Sequence, residues 1–534
     1  MPVAKILKKT GIFILYFLGF LLILVLSLFV YINTNAGKRL IKNKVQHYLS
    51  NKLKTRVEIN SIDYSLPKWI ELNGIYLEDR KKDTLLYGEQ VSVDIDMLKL
   101  ISGNTYIRKL QFKNIYANIY RSANDSLFNY SFITEAFGGD KTAQPVKADT
   151  TALRLTLKEL ILDKIRLRFK DDFGGSYLVS TIDTLNATLN KFQPDRMDFD
   201  IDQFTAAGIN FSMEISKESL SKTDSSSALV LLLKNNSLDL RNLNVSFNDK
   251  VTGLFYGNQF THLSVSKLNF NMAAQDAFLD KIILDSSSIE FNMPVATSNK
   301  KITDTLPVTT SAWKLGINKI QFRNNAVVFN NKAAAPSEGL DYNHLGLQNI
   351  NIDAANLLYN TDSIFVIANQ IAFKDKSGFQ LDTGHAFIRY TDKGIEATDL
   401  YIKTPQSVIQ NSIVVKYDSI KSITAIPQHT TVNASLKNTV IAVNDLYMIA
   451  PFVKKYMPEA KFKNNLVKLS TQIDGTLRQL NIPVLQLAGF SGSTINAKAI
   501  LYNVTDSNNL GYDIVIFNSR ILKQDIIKFM PAGN

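Results

Sequence analysis

Apolar residues recur at every second position of this chain from Val57 to about residue 520. Val91, Val93 and Ile95 form one such segment, and turn-forming runs such as residues 79–83 separate the segments. A period of two is typical of β-strands, because successive side chains of a strand point to opposite faces of the sheet. The sequence therefore predicts a mainly β fold. For a chain of 534 residues this means a sandwich, a barrel, a propeller or an elongated sheet.

The alternation changes phase within several of the predicted strands. Leu110 and Phe112 share one face, and after two polar residues the apolar series resumes at Ile115. Similar switches follow Leu162, Leu240 and Leu347, and longer ones follow Leu284 and Phe322. An odd step keeps apolar residues on one side of a sheet only where the strand bulges or turns. We therefore predict bent strands that present one continuous apolar face, without the fixed period of a solenoid.

Two interpretations of this apolar face remain open. It can pack on a protein core, as most such faces do, or it can curl into a trough whose inner surface solvates acyl chains. Almost no helical segment between Val57 and Val443 is available to cover a second face. The residues predicted to line a lipid groove lie at the phase switches, and they are Leu110, Phe112, Ile115, Leu160, Leu162, Leu167, Phe169, Leu243, Val245, Phe247, Ile320 and Phe322.

The segment Ile12 to Ile32 holds twenty-one residues without a charge. At about 1.5 Å per helical residue it is long enough to cross a bilayer, and it is longer than the apolar region of a signal peptide. The sequence predicts a single uncleaved anchor, with the remaining residues on one side of a membrane. Basic residues flank the segment on both sides, so the positive-inside rule does not fix its direction.

The formal net charge of +12 is concentrated near this segment. Residues 1–60 contain ten Lys or Arg and one acidic residue, and the rest of the chain contains 50 basic and 47 acidic residues. A basic cluster beside a span indicates attraction to anionic lipid, so no nucleic-acid partner is predicted. Because the chain has no cysteine, it has no disulfide, no thiolate chemistry and no cysteine-based metal site.

Short helices are predicted at both ends of the strand region. Lys38 to Leu53 has an amphipathic pattern, and this helix either lies on lipid headgroups or packs on the next domain. A second helix is predicted from Asn444 or Asp445 to Pro458, and Asp525 to Pro531 resembles Phe452 to Pro458 at an interval of 73 residues. The second occurrence suggests the N-terminal part of a longer repeating protein. Polar stretches at 138–151, 216–227 and 297–311 are predicted to be exposed insertions.

A search for catalytic and metal-binding motifs is largely negative. The five histidines are scattered without metal-ligand spacing. Asp198, Asp200 and Asp202 alternate with apolar residues, as on the polar face of a half-buried strand. Gly489 to Ser493 differs from a nucleophile elbow and is predicted to be a turn. We expect no enzyme activity, no cofactor and no metal.

Several segments of the first 121 residues resemble the N-terminal module of the AsmA-like family, and of its TamB-like members in particular. These are the anchor, the basic helix, residues 54–59, 70–79 and 84–86, the strand at 91–95, and residues 98–103 and 107–112. The resemblance implies an inner-membrane anchor with a cytoplasmic N-terminus and a periplasmic bulk. It also implies a long curled antiparallel sheet, with a hydrophobic groove along which phospholipid moves towards the outer membrane.

For TamB-like members the resemblance further implies outer-membrane protein assembly with an Omp85-type partner, although the C-terminal domain that meets this partner has no counterpart in the sequence. The predicted organisation is an anchor at 1–36, a basic helix at 37–56, a β-groove at 57–443 and a helix-plus-strand unit at 444–534. The leading functional hypothesis is a lipid conduit. The alternative is an assembly factor or envelope scaffold whose sheet is packed shut.

Overall fold

A computed structural model describes residues 20–530, apart from residues 21, 22, 25, 29, 66–68, 97–105, 138–155, 218–230, 295–312, 421 and 507. The chain divides into two compact units, Met1–Lys222 and Thr223–Asn534. This boundary falls inside the predicted 57–443 region, and the predicted division at residue 444 stays a prediction. The predicted mainly β fold class is confirmed.

The first unit is built from seven strands and two helices among its described residues. The strands are β1 (Val57–Ser65), β2 (Trp69–Glu78), β3 (Thr84–Ile95), β4 (Tyr106–Arg121), β5 (Thr156–Asp171), β6 (Ser176–Gln193) and β7 (Asp198–Ile215). The helices are α1 (Asn35–Leu53) and α2 (Ser131–Phe137), and a short 3-10 turn spans Pro194–Arg196. The strands pair in chain order to form one sheet.

The second unit is also built mainly from β-strands, and it has fifteen of them among its described residues. They are β8 (Leu232–Asp249), β9 (Leu254–Asn271), β10 (Asp276–Asp285), β11 (Ser288–Met293), β12 (Lys314–Asn331), β13 (His344–Asn360), β14 (Ser363–Asp375), β15 (Gln380–Thr391), β16 (Gly394–Lys403), β17 (Val408–Lys416), β18 (Thr431–Ala442), β19 (Leu466–Thr476), β20 (Gln479–Gly489), β21 (Ser493–Tyr502) and β22 (Gly511–Arg520). The helices are α3 (Ser422–Ala425), α4 (Val443–Ile449), α5 (Glu459–Phe462) and α6 (Lys523–Phe529), with 3-10 turns at Pro427–His429 and Pro451–Lys455.

The prediction of a wholly antiparallel sheet is wrong at two places. β4 is parallel to β5. β12 is parallel to both β10 and β11, and these two strands pair one after the other with β9. Parallel neighbours need a crossover of about a dozen or more residues. The crossovers contain the polar stretches 138–151 and 297–311 that were predicted to be insertions, and these stretches lie outside the described residues.

The predicted phase switch is confirmed in the first unit, where it occupies one row across all seven strands. Asn114 of β4 has a φ of 48°, and Lys164 of β5, at the neighbouring position of the parallel pair, has a φ of 53°. Gly74 and Gly208 also have positive φ, at 61° and 65°. We call this row the crease, and its members are Asn60, Gly74, Glu89, Asn114, Lys164, Asp183 and Gly208.

Side-chain contacts at the crease show how the phase changes. Lys113 Nζ donates to Glu89 Oε1 at 2.5 Å, and Asn114 Nδ2 donates to Glu89 Oε2 at 3.4 Å. Two consecutive residues of β4 therefore reach the same carboxylate on the same side of the sheet. Because of this extra residue, Phe112 and Ile115 share the opposite side.

The predicted helix Lys38 to Leu53 is confirmed as α1, which begins after the N-cap Thr34 and runs beside β1. Leu53 packs in a buried cluster with Val57 and Leu77, while Lys38 Nζ lies 3.0 Å from Asp63 Oδ1. The helix therefore packs on the domain that follows it, which was one of the two interpretations of its amphipathic pattern. It covers one edge of β1. Leu40 and Tyr48 remain 44% and 59% exposed on its other side.

The predicted anchor, Ile12 to Ile32, lies largely outside the described residues. Its described residues, among them Phe20, Leu26 and Val30, are helical. No helix among the residues that the structure describes has both the length and the apolarity needed to cross a bilayer.

Helices are confirmed near both C-terminal positions, but the predicted interval between them is wrong. Asp525 of α6 corresponds to Asp445 of α4, 80 residues earlier, because the two carboxylates make the same contacts. The segment that was predicted to match α6 instead forms the 3-10 turn Pro451–Lys455. The predicted turn at Gly489 to Ser493 is confirmed between β20 and β21.

Candidate functional site: an apolar sheet face

Strand register in the first unit aligns apolar residues into rows that cross the whole sheet. On one side of the crease the row is Ile62, Leu72, Val91, Phe112, Leu162, Leu185 and Ala206. On the other side it is Ile59, Ile75, Gly88, Ile115, Ile165, Ile182 and Ile209. Further rows contain four more of the predicted residues. Leu110 is aligned with Leu160 in one row, and Leu167 and Phe169 lie in two others. We call these rows the apolar face.

The opposite face of the same sheet is polar and internally hydrogen-bonded. Asn73 Nδ2 lies 3.3 Å from Ser61 Oγ on the neighbouring strand, and Arg108 Nη2 lies 2.7 Å from Asp94 Oδ1. Alternating residues of one strand therefore face different chemistry, and this is the pattern of a sheet with one wet face. Only the other face is available for apolar contacts.

Burial of the apolar face is incomplete at the centre of the sheet. Ile62 and Ala206, at the two ends of one row, are 6% and 5% exposed, whereas Phe112 and Leu162 between them are half-buried. The helices contribute to a buried cluster at one corner, where Phe132 of α2 and Leu53 pack against strand residues. Neighbouring side chains therefore shield one another without the full burial of a packed core.

Two of the predicted lining residues are covered by other side chains of the chain. The Phe169 ring lies 5.5 Å from the ring of Phe128 in the loop after β4. Ile320 is 8% exposed in a cluster with Ile317 and Ala354 of the second unit. These positions are less available to a ligand than Phe112 or Leu162, while Phe322 contacts the same cluster and stays half-buried.

The predicted residues Leu243, Val245 and Phe247 lie on β8 of the second unit, and all three are half-buried. Register aligns Phe247 with Tyr256, Phe291, Phe329 and Leu345 of successive strands. The rings of Phe291 and Phe329 stack, with centroids 6.1 Å apart. An aromatic row therefore crosses this part of the sheet.

Sequence reasoning missed a polar residue within these apolar rows. Asn258 is aligned with Val245 and Ile289 and is 7% exposed. Its Nδ2 lies 2.5 Å from the Tyr256 hydroxyl, and its Oδ1 has no hydrogen-bond partner. In the sequence, Asn258 is visible as a polar residue between Tyr256 and Phe260 in the alternating series. The burial of Asn258 depends on neighbouring strands and could not be read from that series.

An ion pair joins the ends of the two parallel strands beside the apolar face. The Arg121 guanidinium on β4 forms two hydrogen bonds with the Asp171 carboxylate on β5 and lies 4.5 Å from the centre of the Phe128 ring. This hydrogen-bonded pairing lowers the pKa of Asp171, although burial alone would raise it. The pair ties the loop that covers Phe169 to the sheet.

The histidines considered in the sequence make local structural contacts, as do two of the aspartates: Asp198 pairs with Lys191, and Asp200 Oδ1 accepts a hydrogen bond from Asn190 Nδ2 at 3.2 Å. His262 lies between Asp239 and Asp285, at 3.0 and 3.2 Å, and the hydrogen bond with Asp239 raises its pKa. His344 pairs with Asp341 at 2.8 Å. His47 lies near Asn51, His385 stacks on Tyr401, and His429 pairs with Asp418. Within the described ranges, no group of three His, Cys, Asp or Glu residues is placed to hold a metal ion.

The fold and the site define a class of protein: a mainly β chain in which the sheet of the first unit has one polar face and one apolar face. No protein-family model, curated protein or solved structure matches it.

Proposed function

We propose that the chain is a membrane-anchored, non-enzymatic lipid-binding protein whose apolar face holds phospholipid acyl chains. The observation that carries this proposal is the row from Ile62 to Ala206, which crosses seven strands and is half-buried at Phe112 and Leu162. Covering a continuous apolar surface of this kind with apolar groups is favourable, because it removes the surface from water. Acyl chains laid along it would leave water, while headgroups stay solvated at its border.

The N-terminal residues support a membrane location. The helical residues Phe20, Ile23, Leu24, Leu26, Leu28 and Val30 are 48–66% exposed, although all are apolar. On α1, the exposed Leu40, Val45 and Tyr48 lie among the basic residues of a helix that contains no acid. Apolar and basic side chains together suit an anionic bilayer surface.

The finer assignment follows the AsmA-like resemblance. In this assignment, Ile12 to Ile32 spans the inner membrane with a cytoplasmic N-terminus, and the bulk of the chain lies in the periplasm. The sheet curls into a groove along which phospholipid passes towards the outer membrane. Partnership with an Omp85-type outer-membrane protein stays a prediction.

Two substitutions on β4 test lipid binding with matched chemistry. Phe112→Asp places a charge on the apolar face, and Gln111→Asp places the same charge on the polar face one residue away. Losing the burial of a phenylalanine weakens apolar binding by about 1.5–3 kcal/mol, which is roughly tenfold or more. We expect phospholipid that co-purifies with the full chain in mild detergent to fall at least about tenfold in Phe112→Asp and to be retained in Gln111→Asp. Equal retention by both variants would contradict the proposal.

A second candidate function is an assembly factor or scaffold whose sheet is closed by its own side chains. The buried cluster of Ile317, Ile320 and Ala354 favours it locally. In that case the wild-type chain would purify without phospholipid, and Phe112→Asp would lower the free energy of unfolding far more than Gln111→Asp. Lipid analysis and urea unfolding of the same three proteins therefore separate the two functions.

A further inference from the structure

A polar groove crosses five strands of the second unit, from β14 to β18, at the level where each strand pair changes register. The register shifts follow Ala368 on β14, Ala397 on β16 and Val408 on β17. Asp399 and Asn411, at the same level, have φ values of 50° and 110°. Bulges of this kind bend strands and change the direction of side chains. The groove follows from this row of bulges.

Two adjoining cavities make up the polar groove. One has a volume of about 510 Å³ and lies over β14, β15 and β16. The other has a volume of about 460 Å³ and extends from β15 to β18. His385 and Asp399 line both cavities. Each volume lies within the range of about 300–1,000 Å³ that is typical of ligand sites.

The polar groove lies on the side of the sheet that faces away from a buried apolar cluster. Ala368 is aligned with Ala354, which packs with Ile317 and Ile320 in that cluster. Successive residues of a strand point to opposite faces, so Asn369 points away from the cluster and into the groove. The groove is therefore separate from the apolar rows of the sheet.

The polar groove contains side chains that have no partner in the protein. Among the residues that the structure describes, the side chains of Asp399, Ser412 and Ser435 make no hydrogen bond. Asn369 Nδ2 donates to Asp353 Oδ1 at 2.8 Å, which leaves the Asn369 carbonyl oxygen as an acceptor. The polar face of the first unit differs, since its side chains bond one another. The groove therefore offers a carboxylate, hydroxyls and an amide to a ligand.

Ring stacking and charge narrow the class of ligand. The rings of His385 and Tyr401 stack with centroids 5.2 Å apart and planes 14° apart, and both residues line the second cavity. Flat rings pack against the C–H faces of sugars, while amides, hydroxyls and carboxylates bond their hydroxyl groups. The described lining residues include one carboxylate, Asp399, and neither Lys nor Arg. A phosphate or another anion therefore lacks the cationic partners that bind it.

We propose that the polar groove binds a neutral oligosaccharide that lies across the strands. Neighbouring strands are about 4.8 Å apart, so the path from β14 to β18 measures roughly 19 Å, and successive sugar rings meet polar groups of successive strands. Asp399 accepts hydrogen bonds from sugar hydroxyls where the two cavities join, and the His385–Tyr401 pair supplies the flat surface beside it. The proposal does not rest on lipid binding.

Saturation-transfer NMR tests this proposal with the full chain in a detergent that has no sugar headgroup. The probes are maltotriose, cellotriose and tri-N-acetylchitotriose, which are all uncharged. We expect saturable binding of at least one probe, and Asp399→Gly should weaken it by at least about tenfold, because hydrogen bonds to a charged group are lost. Glycine adopts a φ of 50° without strain. Asn324→Gly, at a φ of 53° on β12, is the matched control and should retain binding.

A second variant tests the stacked rings separately from the carboxylate. We expect Tyr401→Leu to weaken binding, whereas Tyr359→Leu, at a 38% exposed position of β13, should not. If Tyr401→Leu fails to fold, the comparison of Asp399→Gly with Asn324→Gly still decides the test. Absence of saturable binding by all three probes, or equal binding by those two glycine variants, would overturn the proposal. Displacement of the bound probe by inorganic phosphate would assign the groove to anions and would also overturn it.

Discussion

Asn114 on β4 and Lys164 on β5 lie side by side in a parallel strand pair, and both have a left-handed backbone. Each inserts one residue into its strand at the same level of the sheet. The apolar residues on both sides of the insertion therefore stay on one face. The continuity of the apolar face rests on this row of local conformations, since a strand with regular alternation would turn half of the face towards the polar side.

Substitutions at Asn114 test the left-handed conformation. Glycine adopts a φ of 48° without a steric penalty, whereas a β-branched residue is strained there by roughly 1–2 kcal/mol. We expect Asn114→Val to lower the free energy of unfolding by about that amount relative to Asn114→Gly, as measured by urea denaturation. Gln111→Val, at a regular strand position, is the control. Equal stability of the two Asn114 variants would show that the conformation does not matter.

Arg121→Lys tests the connection between the parallel strands. Lysine keeps the charge but loses the paired hydrogen bonds to Asp171 and the stacking of the guanidinium on Phe128 and Phe173, which lie 4.5 and 4.7 Å away. We expect the free energy of unfolding to fall, because the paired hydrogen bonds to a charged carboxylate are lost. Arg166→Lys, at an exposed position of β5, should change it little. Similar losses in both variants would contradict a specific role for Arg121.

His262 predicts a pH-dependent contribution to stability. Its pKa is raised by the hydrogen bond with Asp239 and further by Asp285, although burial opposes the shift. A raised pKa in the folded state stabilises the fold below about pH 6.5, the ordinary value, and this contribution disappears as the pH rises through the folded-state pKa. The stability difference between wild type and His262→Gln should therefore be larger at pH 5.5 than at pH 8.5. A difference independent of pH would exclude this role.

Asp525 predicts the opposite pH dependence. Burial alone would raise its pKa, but hydrogen bonds from Ser493 and Ser491 outweigh burial and lower the pKa to about 2. A lowered pKa stabilises the fold above about pH 4, and this contribution is lost as the pH falls towards 2. Ser493→Ala should cost about 1–3 kcal/mol at neutral pH and shift acid unfolding to higher pH. Thr494→Ala, at the exposed neighbouring position, should leave the acid transition unchanged.

The strands and their phase switches could be predicted from the sequence because both are local properties. Asparagine tolerates the left-handed conformation, and it occupies that conformation at Asn114, Asn242, Asn324, Asn438 and Asn518. Strand direction could not be predicted, since β4 and β5 have the same alternation whether they pair parallel or antiparallel.

The candidate site was harder to predict than the fold. Phe169 and Ile320 follow the same sequence pattern as Phe112, yet a loop covers the first and a neighbouring strand helps to bury the second. The repeat interval was mistaken because an apolar run ending in Met-Pro occurs at both Pro458 and Pro531. The Ser493–Asp525 hydrogen bond, which identifies the true counterpart, joins residues far apart in the chain.

Site-specific photo-crosslinking at Phe112 and Gln111 tests directly whether the apolar face contacts lipid. A benzoylphenylalanine at either position reports what touches that face in native membranes, and mass spectrometry identifies the adduct. We expect phospholipid adducts at position 112 and none above background at position 111. Adducts to this chain's own residues at position 112, with no phospholipid, would show that the apolar face is a packed core and would contradict lipid binding by this face.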